Sequence, residues 1–600
     1  MNRLNLQNLK PFFRQVITPL HQSFTTPTVS QSHPHLIFCF ILSLLIVFFY
    51  GFLSMQQAFS SEYIIQDDAR QHVFWMQRFV DPELFPQDLI ANYLQSLAPW
   101  GYKVFYKIHA IFGMSPLITS KILPLILGLI TTGYCFAVSL ELLPIPAVSL
   151  ITTLILNQAL WIEDDLVSAT PRAFVYPLFF AFLYYLLRQS LFPLLIVIAL
   201  SGLFYPQITL LFLAILTFRL FQIQNYKIQL SPHKFNRLAW LAGGFVTVLI
   251  LLPYKLNTTE FGEMITLAEA KLRPEFYPLD GLFGRAFFFH DNPLIYWLVA
   301  PQTGLLFIGL VSPLALFGFA LPFLLKQTER FPLAQQINYE VKLLGQILLA
   351  SLALYFLAHA VLFHLYFPTR YTYHSFKIVL ILAAGLAVTL ILEAQLRTLI
   401  QLMENGFTPY QFTFFSLTFC LGILLVIVPF LPGVILPNQL YRTGKEPLIY
   451  EFLQQQPKDT LVATLSEEAD FIPTLAQRST LVALEYDYPY HTRYYTQFYQ
   501  RLLDLVNAQY SSDLRQVQDF VRKYGVDFWL LDGESTFQAE YISTRVLIRQ
   551  VELVEPILDK IEQGQVFILS TLVENCAVLK TEHRQLLDAQ CILQQGKNQL

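Results

Sequence analysis

The sequence predicts an α-helical polytopic membrane domain of about 11 spans, followed by a small α/β soluble domain. Of the 600 residues, 54% are hydrophobic and only 14% are charged, whereas soluble proteins carry about 25% charged residues. The apolar runs lie within the first 435 residues, and the remainder has the composition of an ordinary domain. A soluble enzyme is therefore excluded, and the lack of any basic block argues against a nucleic-acid partner.

Eleven apolar runs approach the length of about 20 residues that a helix needs to cross a bilayer. They are 36–54, 116–140, 147–161, 173–187, 192–203, 208–220, 238–253, 304–325, 343–367, 378–392 and 412–431. The fifth and sixth are short and are joined only by the turn-like segment 204–207, so they could form a re-entrant pair. The segment 295–300 could add an interfacial turn, which leaves the count open around 192–220 and 294–325.

An odd number of spans places the two chain ends on opposite sides of the membrane. The short connections 219–237 and 326–342 are basic, and this favours a cytoplasmic N-terminus. We therefore expect a multi-pass protein of the plasma (inner) membrane with a cytoplasmic tail (1–35), a membrane domain (36–435) and an extracytoplasmic domain (436–600). The outer segments are then 55–115, 162–172, 254–293 and 368–377. The first of them is long, and we interpret it as amphipathic helices lying on the membrane.

Helical and strand-like patterns alternate in the C-terminal domain. The segments 447–456, 493–508 and 513–524 have helical patterns, and 460–464, 479–485 and 526–531 have strand patterns. Strands that are linked through helices normally pair in parallel, so we predict one sheet with helices packed on it. Cys576 and Cys591 either form a disulfide or remain buried thiols.

The sharpest candidate for chemistry is the segment 66–72, directly after the first span. Asp67 and Asp68 are adjacent carboxylates near the apolar boundary, where desolvation raises at least one pKa. Such a group could deprotonate an acceptor hydroxyl or hold a divalent cation. On a helix, Asp68 and His72 share one face, and Asp67 lies over Arg70. The alternative is a helical first turn whose acids are merely favourable there.

A second acidic group opens the second outer segment. It comprises Glu163, Asp164 and Asp165, and its simpler interpretation is a solvated loop. Arg172 closes the segment at the mouth of an aromatic span, where its guanidinium could bind a phosphate. A divalent cation, Mg²⁺ or Mn²⁺, is a candidate cofactor, and its candidate ligands are Asp68, Glu163, Asp164 and Asp165.

A third group lies in the fourth outer segment. Arg370, His374 and Lys377 follow one another at spacings of four and three, so a helix would align them on one face. An ordinary belt of aromatic residues and snorkelling cations would look the same. Under the topology above, these cations lie on the same side as the acidic motif, which suits a lipid phosphate leaving group beside a general base.

In layout, the chain resembles the GT-C superfamily of polyprenyl-phosphate-sugar-dependent glycosyltransferases, which includes the protein mannosyltransferases. The likeness lies in the acidic motif of a large first outer segment, the odd span count and the outer C-terminal domain. Locally, Asp67-Asp68-Ala69-Arg70 is similar to the acidic pair of the aminoarabinose transferase branch, where the first acid is the presumed base. The segment 163–165 is loosely similar to the second acidic motif of oligosaccharyltransferases.

The sequence departs from two branches of that superfamily. It lacks the W-W-D-Y-G-type motif of oligosaccharyltransferases and the acidic pattern of protein mannosyltransferases. The resemblance implies transfer of a sugar from a polyprenyl-phosphate donor to a lipid, glycan or protein acceptor in the membrane. Asp67 would be the base, Asp68 would orient Arg70 or support a cation, and Arg172, Arg370 and Lys377 would hold the phosphate. Arg70, His72 and His374 are further candidates for substrate binding.

Two other functions fit the same sequence. A transporter or lipid flippase usually has internal repeats and ionisable residues near mid-membrane, and the spans here are almost free of charge at their centres. A non-catalytic envelope protein would bind partners through its C-terminal domain. Under that reading, substitution of Asp67 would have no effect.

The topology is testable with reporter fusions. A fusion within 219–237 should behave as cytoplasmic, and a fusion after residue 432 should behave as extracytoplasmic. A cytoplasmic signal from the second fusion would contradict both the topology and the function it supports.

Overall fold

The computed structural model describes residues 10–27, 33–224, 227–256, 260–279, 282–283, 286–307, 312–405, 416, 420–425, 427, 440–544 and 551–595. The helices up to residue 405 are α1 (Lys10–Thr25), α2 (His33–Ala58), α3 (Asp67–Val73), α4 (Leu89–Leu97), α5 (Trp100–Ile111), α6 (Pro116–Leu142), α7 (Pro146–Leu160), α8 (Asp164–Val167), α9 (Val175–Leu187), α10 (Leu191–Phe204), α11 (Pro206–Leu220), α12 (Lys234–Leu256), α13 (Leu267–Ala270), α14 (Leu321–Leu324), α15 (Lys342–Ala360) and α16 (Tyr373–Asn405).

Among the described residues, five helical segments are long and apolar enough to cross a membrane. They are Pro34–Ala58, Pro116–Leu142, Lys234–Tyr254, Tyr339–Ala360 and Pro368–Gln401. Five shorter apolar segments are Pro146–Leu160, Pro171–Leu187, Leu191–Phe204, Pro206–Leu220 and Pro313–Leu324. These segments coincide with the first ten predicted spans, although only the second half of 304–325 is helical. The predicted span 412–431 lies almost wholly outside the described residues, so the count of eleven stays a prediction.

The membrane helix α16 packs closely against α7, and this contact sets the position of the outer charged residues. Gly385 on α16 faces Thr152 on α7, and a Cβ atom at Gly385 would overlap the threonine hydroxyl. Only glycine therefore allows the two backbones to approach this closely. Because α7 ends where α16 begins, the acidic segment after α7 lies beside the first turns of α16.

The strands of the described residues are short and form four sheets. They are β1 (Ile64–Gln66), β2 (Phe221–Gln224), β3 (Lys227–Leu230), β4 (Pro278–Leu279), β5 (Leu282–Phe283), β6 (Tyr441–Thr443), β7 (Leu461–Ala463), β8 (Ser479–Thr480), β9 (Phe528–Leu531), β10 (Ala577–Lys580) and β11 (Gln585–Asp588). The pairs β2–β3 and β4–β5 are hairpins. The β2–β3 hairpin lies in the basic connection between α11 and α12.

Strand β1 joins the first outer segment to the C-terminal domain. It pairs with β6 in antiparallel register, with Ile65 opposite Arg442. The Asp67 N–H then donates to the carbonyl oxygen of Leu440 at 3.0 Å. The segment 55–115 is thus part of the fold of the C-terminal domain and not only a set of amphipathic helices.

A stacked pair of tyrosine rings strengthens this junction. Tyr93 on α4 is fully buried, and its ring stacks on Tyr494 with centroids 3.6 Å apart. The Tyr93 hydroxyl also lies 2.9 Å from Nδ1 of His491. The apolar face of α4 is therefore covered by protein, whereas Ile111 and Phe112 at the end of α5 remain exposed.

The C-terminal domain has a five-stranded sheet in the order β10-β11-β9-β7-β8. Its helices are α17 (Pro447–Gln454), α18 (Thr492–Gln509), α19 (Leu514–Tyr524), α20 (Ala539–Thr544), α21 (Val551–Glu562), α22 (Ile568–Cys576) and α23 (Ala589–Gln594). The three predicted strands correspond to β7, β8 and β9, and β7 pairs in parallel with both neighbours. The strand predicted at 479–485 is shorter, since Leu484–Tyr486 forms a 3-10 turn. Cys576 and Cys591, left open by the sequence, form a disulfide.

Candidate active site

The first acidic motif begins helix α3 directly after strand β1. The side chain of Gln66 caps this helix by accepting a hydrogen bond from the Ala69 N–H at 2.8 Å. Asp67 accepts a hydrogen bond from Arg70 at 2.9 Å, as expected for residues three apart on a helix. The Asp67 side chain remains 29% exposed, so one face of its carboxylate is accessible to a substrate.

Arg70 is a buried link to the C-terminal domain. Its guanidinium donates to Glu485 at 3.0 Å and lies 4.4 Å from the centroid of the Phe471 ring. The carbonyl oxygen of Arg70 accepts from Thr474 at 2.8 Å. Arg70 therefore fixes α3 against the C-terminal domain. His72, on the same helix, is half-buried.

A second arginine reaches Asp67 from the C-terminal domain. Arg442 on β6 places its Nε 3.3 Å from Oδ2 of Asp67, because the β1–β6 register sets Arg442 opposite Ile65. Sequence reasoning missed Arg442 and Glu485. A strand of three residues has no hydrophobic alternation that would predict its partner, so the sequence carries no signal for either contact.

Asp68 connects the first outer segment to the second. Its carboxylate forms an ion pair with the Arg172 guanidinium, not with Arg70 as one interpretation of the sequence suggested. Arg172 also lies 3.2 Å from Asp164 and 3.5 Å from Asp165. The 3-10 helix Pro171–Phe174 carries this arginine at the outer start of α9. Three carboxylates from two outer segments thus converge on one cation.

Glu163 and Lys377 form a second ion pair, between the end of α7 and the start of α16. Lys377 is fully buried and Glu163 nearly so. The hydroxyl of Tyr373 donates to the same carboxylate oxygen at 2.7 Å. Because two charges without partners would be costly at this depth, this pair fixes the acidic segment against α16.

His374 lies behind the cluster, next to Asp165. Its Nε2 lies 3.2 Å from Oδ2 of Asp165, and both side chains are buried. The ring packs edge-on against Tyr176 with centroids 5.3 Å apart. In this structure, His374 supports Asp165 from inside the protein.

Arg370 is the least neutralised cation of the cluster. It lies in the 3-10 helix Pro368–Tyr371, before α16, and makes no salt bridge within 4.0 Å to any residue that the structure describes. Burial and repulsion from Asp165 raise the pKa of Asp164 to about 6, while the nearby Arg370 opposes this shift and Asp67 adds to it. Arg370 and Asp67 therefore both lie within electrostatic reach of Asp164.

The acidic side chains of the cluster are paired with cations of the protein, which bears on the predicted divalent-cation site. No group of three His, Cys, Asp or Glu side chains within the described ranges is arranged to hold a metal ion. Asp68, Asp164 and Asp165 face Arg172, and Glu163 faces Lys377. This arrangement does not fit a metal ion, and Mg²⁺ or Mn²⁺ binding stays a prediction from the sequence.

No protein-family model matches the chain, and no curated protein matches it. Solved structures of two enzymes are similar to it. The oligosaccharyltransferase of Archaeoglobus fulgidus, tethered with an acceptor peptide, has 12% identity and a TM-score of 0.49 over 86% of this chain and 72% of its own. ArnT of Cupriavidus metallidurans in the apo state has 12% identity and a TM-score of 0.46 over 92% of this chain and 98% of its own.

The structure of the same ArnT bound to undecaprenyl phosphate has 11% identity and a TM-score of 0.44, over 93% of this chain and 98% of its own.

Proposed function

We propose that the chain is a membrane glycosyltransferase, which transfers a sugar from a polyprenyl-phosphate-linked donor to an acceptor on the extracytoplasmic face. One observation carries the proposal. A partly exposed carboxylate, Asp67, lies in one charged cluster with Arg370, a cation without a salt-bridge partner among the described residues. A carboxylate and a cation without a described salt-bridge partner, in one cluster, suit a reaction that removes a proton at one atom and releases a phosphate at another.

Asp67 is the proposed general base. Arg70 and Arg442 both contact its carboxylate, so two side chains fix its position. Asp68 is less suited to the role, because its side chain is 19% exposed against 29% for Asp67. The choice of Asp67 also agrees with the motif resemblance, in which the first acid is the base.

Arg370 is the proposed ligand of the leaving phosphate. The acceptor oxygen loses its proton to Asp67 and attacks the anomeric carbon, with inversion. The bond between that carbon and the phosphate oxygen breaks, and its electron pair remains on the phosphate. Arg370 would stabilise the charge that develops there. Arg172 and Lys377 are held by acids of the chain, so we assign them to the scaffold that presents Arg370.

Replacing Asp67 with Asn should lower the transfer rate by about 10²–10⁴-fold, because the amide cannot accept the proton. The measurement is release of polyprenyl phosphate from a panel of polyprenyl-phosphate sugars by purified, reconstituted protein. Glu83→Gln is the matched control, since Glu83 is an exposed acid of the same segment that pairs only with Lys458 among the described residues. Full activity in the Asp67→Asn variant would eliminate this base.

Replacing Arg370 with Gln should lower kcat/KM for the donor by about 10²–10³-fold. Arg370→Lys should recover part of that loss, since lysine keeps the charge but not the paired N–H groups. Donor binding and turnover are measured separately. Arg188→Gln is the control, because Arg188 is exposed and its only salt bridge among the described residues is with Glu141. Unchanged donor kinetics in Arg370→Gln would refute the assignment.

Replacing Arg442 with Gln should lower kcat with little change in KM for the donor, because Arg442 holds the Asp67 carboxylate in place from 3.3 Å and fixed geometry is what makes a base effective. Arg70 still contacts Asp67, so the loss should be smaller than that of Asp67→Asn. Lys445→Gln, an equal charge change on an exposed residue, should leave kcat unchanged. Unchanged kcat in the Arg442→Gln variant would refute this positioning role.

A further inference from the structure

A large cavity lies between the outer ends of α2 and α6, and none of its lining residues belongs to the charged cluster of the candidate active site. Its volume is about 770 Å³, within the range of small-molecule sites. The segment after α2 and the first turns of α6 form two walls, and Leu475 and Gln477 of the C-terminal domain also line it. Because α2 ends and α6 begins here, the cavity lies at the boundary of the apolar helices, where lipid headgroups are found.

The rim of this cavity is apolar and exposed. Phe59, Val80 and Ile118 line it, and their exposed fractions are 48%, 56% and 46%. Three large apolar side chains that remain exposed around one cavity are typical of a binding surface. Their position at the end of the membrane helices indicates that hydrocarbon chains cover them.

The polar residues of the cavity offer one positive and one negative charge. Lys121, on the second turn of α6, has its ammonium 5.2 Å from the centroid of the Phe59 ring. Glu62 is exposed and close enough to interact electrostatically with Lys121. Neither has a salt-bridge partner within 4.0 Å in the part of the chain that the structure describes. The third charged residue, Asp81, is paired with Lys458 at 2.7 Å.

We propose that this cavity binds a membrane phospholipid with a phosphoethanolamine headgroup. Lys121 would bind the phosphate and Glu62 the primary ammonium, both through charge-assisted hydrogen bonds. The acyl chains would lie along Phe59 and Ile118. This site is independent of the proposed glycosyl transfer.

The charge pattern selects this headgroup over two common alternatives. A phosphoglycerol headgroup has no cation for Glu62, so it would leave that carboxylate beside a second anion. A phosphocholine headgroup has a cation, but its quaternary nitrogen has no N–H to donate to Glu62. Only a primary ammonium supplies both the charge and the donor.

Native mass spectrometry of the full chain tests this proposal. The protein is extracted from nanodiscs that contain phosphatidylethanolamine, phosphatidylglycerol and phosphatidylcholine in equal amounts, and the retained lipid is counted. We expect preferential retention of phosphatidylethanolamine. Lys121→Ala should reduce it by about tenfold or more, the effect of losing a hydrogen bond to a charged group. Glu62→Gln should abolish the preference among the three lipids while keeping some binding.

Two controls separate this site from general lipid contact. Lys107→Ala removes an exposed lysine of the same segment that does not line the cavity. Glu83→Gln removes an exposed acid nearby. Both variants should retain as much lipid as the unmodified chain does. Thermal unfolding confirms that each variant is folded. Equal retention in Lys121→Ala and the unmodified chain would overturn the proposal, and so would a preference for phosphatidylglycerol. Displacement of the lipid by millimolar inorganic phosphate would show a site for free phosphate instead.

Discussion

Charge compensation where α7 ends and α16 begins is the constraint on which the rest of this structure depends. Glu163 and Lys377 are buried together, as are Asp165 and His374. Each of these groups alone would be expensive to remove from water. The acidic segment after α7 therefore has to meet the start of α16. Once it does, Arg172 is close enough to bind Asp68 from the first outer segment.

The C-terminal domain adds further charged residues to this cluster. Strand β6 pairs with β1 and brings Arg442 to Asp67, while Glu485 binds Arg70. The candidate base thus has one neighbour from its own helix and one from a distant domain. Such a base is held more rigidly than a residue on an isolated loop, and fixed geometry is what makes a base effective.

The membrane helices and the charged motifs were predictable because each follows from a local rule. A run of about 20 apolar residues is the length that a helix needs to cross a bilayer. Acids next to such a run must face water or a cation. The sheet at 460–531 was also predictable from helices alternating with buried strands. By contrast, β10 and β11 were missed, since Ala577–Lys580 and Gln585–Asp588 are short and mix apolar with charged residues.

The pairing of the charges was harder to predict than their presence. Spacing on a helix correctly links Asp67 to Arg70, but for Asp68 it offers His72 and does not predict the ion pair with Arg172. The pairing of Asp68 with Arg172 depends on how α7, α9 and α16 pack, and no local sequence pattern encodes this packing. The contacts of Arg442 and Glu485 depend on a strand register between segments far apart in the chain.

The β1–β6 pairing has a consequence for how the protein is made. Arg442 follows its partner Ile65 by about 380 residues, and ribosomes add about 5–20 residues each second. The segment 55–115 must therefore wait for tens of seconds before its partner strand exists. During that interval Ile64 and Ile65 present an open strand edge and apolar surface to chaperones and proteases. Biogenesis thus depends on a strand of three residues that is synthesised much later than its partner.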